Sequence, residues 1–277
     1  MIPARLKTYK ILWQNLNEAG EMRKKPKARY ELLVIPIILA ILVLSGGSAS
    51  MSKAKDTATP DIQEKVLTME DGTALRYTLS LPPSISTKKA LPLVLALHYG
   101  GTVTPYFGKD ILVYLVEPAL RDLGAVMASP DCPARGWNNP ISERAVLALL
   151  DHLKEDYPID KNKVVVTGYS MGAFGTWYLV SRHPHLFSAA IPISGVPREE
   201  ISLEKNETPV YVIHSRDDEL IPLAGVKQFI QEWKSKGLNV RLEVISGIGH
   251  YDYSGYIQAL QKTVSWLKKV WRVGKQD

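Results

Sequence analysis

From residue 91 onward, short apolar runs alternate with stretches whose apolar residues recur every three or four positions. Residues 91–97, 164–166, 189–193 and 209–214 are continuous apolar or β-branched runs, the pattern of strands covered on both faces. Residues 125–128 continue the series, and 240–245 alternate apolar with polar. Val146, Leu149, Leu150, Leu153 and Tyr157 fall on one helical face, with Asp151, Lys154 and Glu155 elsewhere. Val226, Phe229, Ile230 and Trp233 define a second amphipathic helix that Gly237 terminates, and Ile257, Leu260, Val264, Leu267 and Trp271 define a third. A further helix runs from Met171 toward Pro184. Upstream, residues 66–69 and 73–81 read as two strands joined by a tight turn at Asp71 and Gly72, and Pro82 and Pro83 end the pair. The alternation predicts an α/β fold: a mostly parallel central sheet, helices on both faces, and an N-terminal antiparallel hairpin.

In such a sheet the loops at the C-terminal ends of the strands form the crevice where ligands bind. Gly100, Trp137, Ser170, Asp218 and His250 all fall on loops at that edge. Ser170 stands out among them. It lies in Gly168-Tyr169-Ser170-Met171-Gly172, between a β-branched run and a helical run, so its hydroxyl is carried on a sharp strand-to-helix bend. The flanking glycines suit such a bend because strand and helix backbones nearly touch there.

A serine hydroxyl is a poor nucleophile near neutral pH unless a base removes its proton and an acid orients that base. Of six histidines, His152 falls on a polar helix face, His183 and His185 flank Pro184, and His98 and His214 close strands. His250 sits in a glycine-bearing loop after the last strand, which makes it the candidate base. Asp217, Asp218 and Glu219 follow the strand at 209–214 and supply the candidate acids.

Here the sequence resembles the α/β-hydrolase superfamily, whose acid commonly occupies a turn of the form His-Gly-x-x-Asp-x-x-Val-Pro. That pattern, laid on His214 to Pro222, implies Asp218 as the acid and leaves Asp217 as the alternative, with Ser215 where the pattern has Gly. The order Ser170, Asp218, His250 matches the superfamily's order. The resemblance also implies an oxyanion-binding pair of backbone N–H groups: Met171, after the nucleophile, and Gly100 of His98-Tyr99-Gly100-Gly101, with Tyr99 as the alternative. Tyr99 and Ala173 stand where the family often has Gly; a positive φ at Tyr99 would strain it. The Trp137 loop, the 157–160 segment, the Ser170 bend and the stretch from Phe187 through Gly195 look most like secreted esterases and predicted peptidases, feruloyl-esterase-like and polyhydroxyalkanoate-depolymerase-like proteins among them. Trp137 is expected either to line the acyl pocket or to pack beneath its loop.

Charge and length place this unit in a cell. The formal net charge is +6, but residues 1–50 hold eight of the 34 Lys and Arg against three of the 28 Asp and Glu. The body is nearly balanced, which argues against a nucleic-acid partner. The basic leader precedes an apolar run at 32–44 and a small-residue stretch at 45–50, the order of an export signal and short for a membrane span. Starting from Met22 would leave the compact basic region 23–29, so residues 1–21 are expected to be dispensable or misassigned. Residues 51–60 read as a linker, and 61–277 as the catalytic domain. A single cysteine, Cys132, allows neither an internal disulfide nor a cysteine metal cluster. The expectation is therefore an exported, cofactor-free serine hydrolase cleaving small or polymer-linked acyl esters. A serine peptidase of the same fold is the alternative, and a non-catalytic surface binding protein the more distant one. Membrane contact is expected only through 32–44, if that segment is not removed.

Overall fold

The structure, a computed structural model, describes residues 59–85, 89–197 and 208–273. The leader, the export segment and residues 51–58 of the linker lie outside the described residues. Among the described residues, no helix is long and apolar enough to cross a membrane.

Eight strands form one sheet in the order β1-β2-β4-β3-β5-β6-β7-β8. They are β1 (Asp61–Thr68), β2 (Ala74–Leu81), β3 (Leu91–Leu97), β4 (Val126–Pro130), β5 (Ile159–Tyr169), β6 (Ala189–Ile193), β7 (Val210–Ser215) and β8 (Val240–Ile245). β1 pairs antiparallel with β2 and β2 with β4; every pairing from β4 through β8 is parallel. The hairpin turn falls where the sequence puts it. Gly72 takes φ 80°, and the Asp71 carboxylate accepts the Thr73 N–H at 2.9 Å, a bond that closes the turn locally.

Alternate residues of each strand feed two cores. Leu93, Leu95 and Leu97 of β3 face one side with Val164 and Val166. There they meet Val146, Leu149 and Leu153 of α2 (Pro140–Asp156), Trp177 and Val180 of α3 (Met171–Arg182), and Val226, Ile230 and Trp233 of α4 (Leu223–Ser235). Val94, Ala96, Val165 and Ile191 face the other side. That side is covered by α5 (Ile257–Val273), through Leu260, Leu267 and Trp271, and by a composite helix over 109–123, here α1. Two-sided burial requires near-continuous apolar strands, and these strands have it.

The structure departs from the sequence expectation in three places. β1 starts at Asp61 rather than at 66, and β5 at Ile159 rather than at 164. After Ile159 the added β5 residues, Asp160 to Lys163, are polar, with Lys163 paired to Asp160 at 2.6 Å, so hydropathy hides them. α1 was not expected. Its buried residues come as doublets, Ile111-Leu112, Leu115-Val116 and Ala119-Leu120, repeating every four positions. That repeat is too long for a 3.6-residue helix, and a π turn over Leu112–Val116 takes up the difference.

Candidate active site

The bend after β5 depends on two glycines. A Cβ at Gly172 would lie 1.9 Å from the Leu97 carbonyl oxygen, and one at Gly168 would lie 2.3 Å from the Gly172 oxygen. No side chain fits either gap. Between them Ser170 takes φ 52° and ψ −111°, a strained conformation for a non-glycine residue. Its N–H still bonds the Ile193 carbonyl at 3.0 Å, extending the β5–β6 ladder, while its own carbonyl accepts the Ala173 N–H at 2.9 Å and starts α3. Ala173, which stands where the family often has Gly, packs its methyl against Gly195; a Cβ there would fall 2.7 Å away.

Ser170 Oγ lies 2.8 Å from His250 Nε2. His250 Nδ1 lies 2.9 and 3.0 Å from the two carboxylate oxygens of Asp218. An ionised carboxylate only accepts, so Nδ1 carries the proton, Nε2 presents a lone pair, and the serine hydroxyl donates to it. Asp218 and His250 are each 5% exposed. Burial works against ionising Asp218, but bonds from His250 and Ser194, with the Ile221 N–H, outweigh it and hold the carboxyl below its usual range. Asp218 also accepts the Leu220 and Ile221 N–H groups at 3.0 and 2.8 Å, and His214 Nε2 donates to the Ile221 carbonyl at 2.8 Å. The acid therefore sits on a turn that is bonded to itself.

Of the two acids left open by the residues alone, it is Asp218 that meets the imidazole. Asp217 instead accepts the Gly247 N–H at 2.6 Å. A second serine, which sequence reasoning missed, also reaches this group. Ser194 ends β6 with φ 53°; its hydroxyl donates to Asp218 Oδ2 and stands 3.2 Å from His250 Nδ1. It is 0% exposed. The one local signal for it was a serine and a glycine closing a buried strand.

The His98–Gly101 loop lies against the first turn of α3. A Cβ at Gly100 would stand 3.8 Å from Met171 Cβ, and Met171 is the first helical residue, whose N–H has no intrahelical acceptor. Tyr99 carries no positive φ; among the described non-glycine residues that strain falls on Tyr106, Ser170 and Ser194. The Tyr99 ring instead stacks on Tyr253, with centroids 5.3 Å apart. His98 braces the loop: Nδ1 donates to the Tyr99 carbonyl at 2.7 Å, and Nε2 accepts the Cys132 N–H at 3.0 Å. Burial pushes its pKa down to about 4, so the ring is neutral near pH 7.

Trp137 is placed under its loop, not on the crevice wall. It is 1% exposed, its indole N–H donates to the His98 carbonyl at 2.9 Å, and a Cβ at Gly175 would lie 2.2 Å from its own Cβ. The acyl-pocket expectation is corrected accordingly. Its place is the core beneath the 98–101 loop. Among the described residues, no group of three or more His, Cys, Asp and Glu is arranged to hold a metal ion.

A mostly parallel eight-stranded sheet, with a serine on the β5 bend and an acid and a histidine on the loops after β7 and β8, is the α/β-hydrolase fold. Within that class, residues 136–269 match the model of the Dienelactone hydrolase family. The protein named "Probable acetylxylan esterase A" of Aspergillus fumigatus is 26% identical over 179 residues, covering 60% of this chain and 47% of that protein. A solved "Thermostable Esterase" superposes with a TM-score of 0.64 at 25% identity, covering 76% of this chain and 63% of that one. A solved "ferulic acid esterase" gives a TM-score of 0.63 at 17% identity, covering 77% of this chain and 100% of that one. The chain spans about half the length of the curated relatives it matches.

Proposed function

We propose that this protein is a serine hydrolase of carboxylic esters, with Ser170 as nucleophile, His250 as general base and Asp218 as the acid that holds the imidazole. The observation that supports this most is the unbroken run of hydrogen bonds from Ser170 Oγ through His250 to Asp218, beginning at a serine whose backbone is strained. His250 Nε2 takes the hydroxyl proton as Ser170 Oγ bonds to the ester carbonyl carbon, and charge develops on the carbonyl oxygen. The N–H groups of Met171 and Gly100 are the donors we assign to that oxygen; losing one donor costs about 3 kcal/mol of transition-state stabilisation. Collapse of the tetrahedral adduct breaks the carbon–oxygen bond to the alcohol, which leaves with the proton from Nε2. Water, giving a proton to Nε2, then attacks the acyl-enzyme, and the acid departs as the proton returns to Ser170. Asp218 keeps the Nδ1 proton in place throughout.

The alcohol is free or polymer-linked. Relatives named as acetylxylan esterases, and a fold neighbour named as a ferulic acid esterase, make acetyl and feruloyl esters the first substrates to assay. We further propose that the domain acts after export. Fractionation should place the protein outside the cytoplasm, and a protein confined to the cytoplasm would refute this; a mature N-terminus upstream of Leu32 would refute the dispensability of residues 1–21.

The test is a parallel assay of acetyl esters, feruloyl esters and peptide amides, with Ser170→Ala as control. Ester turnover that vanishes in Ser170→Ala supports the reading. Turnover that survives overturns it, and turnover of amides alone replaces the ester assignment with a peptidase.

A further inference from the structure

We infer that Glu219, together with Asp217, is a positioning residue that suspends the His250 loop from the acid turn, an inference that rests on His250 being the base. The parallel ladder of β8 ends where the Ile245 carbonyl accepts the Arg216 N–H at 2.8 Å. Beyond it the loop turns through Gly247 at φ 79°, and its one internal backbone bond is a long one, Asp252 N–H to the Gly249 carbonyl at 3.3 Å. The loop is held from outside instead. Asp217 takes the Gly247 N–H at 2.6 Å, Glu219 takes the His250 N–H at 2.8 Å, and the Tyr169 hydroxyl donates to the His250 carbonyl.

Three consecutive carboxylates thus grip one loop at three points: Asp217 at its entry, Asp218 at the imidazole and Glu219 at the backbone of the same histidine. Gly249 leaves room for this, since a Cβ there would come 3.0 Å from Glu219 Oε2. Because the turn bearing all three is bonded to itself, ring and backbone of His250 are fixed against one frame. Asp217 and Glu219 are exposed, so their worth lies in aim more than in fold stability. A misplacement of about 1 Å at a catalytic group costs on the order of 100-fold in rate.

Glu219→Ala should lower kcat for an acyl ester about 10- to 100-fold, leave KM within about twofold, and move the apparent pKa of the kcat/KM profile. It should also slow modification of Ser170 by a fluorophosphonate in proportion. Glu219→Gln keeps a carbonyl acceptor for the His250 N–H and should recover most of the rate; Asp217→Ala should cost less than Glu219→Ala. Wild-type kcat and pH profile in Glu219→Ala would overturn the inference. So would a Glu219→Gln as impaired as Glu219→Ala, or a rate loss matched by a collapse in Tm. A wild-type Ser170 inert to the phosphonate would instead remove the esterase reading, and this inference with it.

Discussion

The ends of β5 and β6 carry the same device twice. Ser170 and Ser194 each follow a buried parallel strand, each takes a φ near 50°, and each N–H continues the ladder to the next strand, to Ile193 at 3.0 Å and to Ile213 at 2.9 Å. Both hydroxyls point at His250, from opposite sides of its ring. What separates them is the chain that follows. After Ser170 the helix α3 starts at once and leaves the hydroxyl partly open to the crevice. After Ser194 the chain packs inward, and the hydroxyl is 0% exposed with its proton committed to Asp218. Under the proposed assignment, strain and contact with a histidine do not by themselves mark the nucleophile; access, and the ring nitrogen that is met, do so.

Four measurements press on that contrast. Ser170→Ala should cost about 10⁴-fold or more in kcat/KM, with Tm near wild type; in contrast, Ser194→Ala should lose about 10- to 100-fold, because the imidazole keeps its carboxylate. Equal losses at the two serines would erase the distinction. Fluorophosphonate labelling, read by mass spectrometry, should modify Ser170 in the wild type and leave Ser194 untouched in both the wild type and Ser170→Ala.

Acid unfolding separates the serines by sign. Asp218 is held below its usual range, so the stability it contributes is present above about pH 3.9 and is lost as pH falls through its folded value. Ser194→Ala removes one of the donors responsible. It should start less stable at pH 6 and fall less between pH 6 and pH 3 than either the wild type or Ser170→Ala, as read by thermal melts. Smallest is the glycine pair. Ser170→Gly relieves the strained φ and should stabilise by about 1 kcal/mol, whereas Ser194→Gly gains the same relief but removes one of the two donors to the buried Asp218 Oδ2, leaving it His250 Nδ1 alone, and should come out destabilised.

The sequence carried the fold well where burial is two-sided. β3, β6 and β7 read directly from apolar runs, and α2, α4 and α5 from their one-face spacing, because both patterns are local. It failed where a pattern is diluted: four polar residues, Asp160 to Lys163, hide the start of β5, and the four-residue repeat of α1 fits neither standard period. The candidate triad was legible as three residue types in a known order after three strands. Ser194 was not, since it lies 24 residues from both Ser170 and Asp218 and 56 from His250, and no spacing announces a contact made across neighbouring strands. Glu219 was visible only as one of three carboxylates. Which of them meets the imidazole and which the backbone depends on how the turn is bonded. Trp137 was legible as an aromatic near the crevice, but its burial follows from a gap at Gly175 that belongs to another helix.

The turn at Gly237, between α4 and β8, lies on the rim away from Ser170, and a Cβ there would touch nothing within 4 Å. Its glycine takes φ 81°, and the chain reverses there on bonds to the end of α4, Gly237 N–H to the Lys234 carbonyl and Leu238 N–H to the Trp233 carbonyl. A short peptide spliced into that turn, whether an affinity handle or a tether to an insoluble support, would ride on the enzyme with the crevice left facing outward.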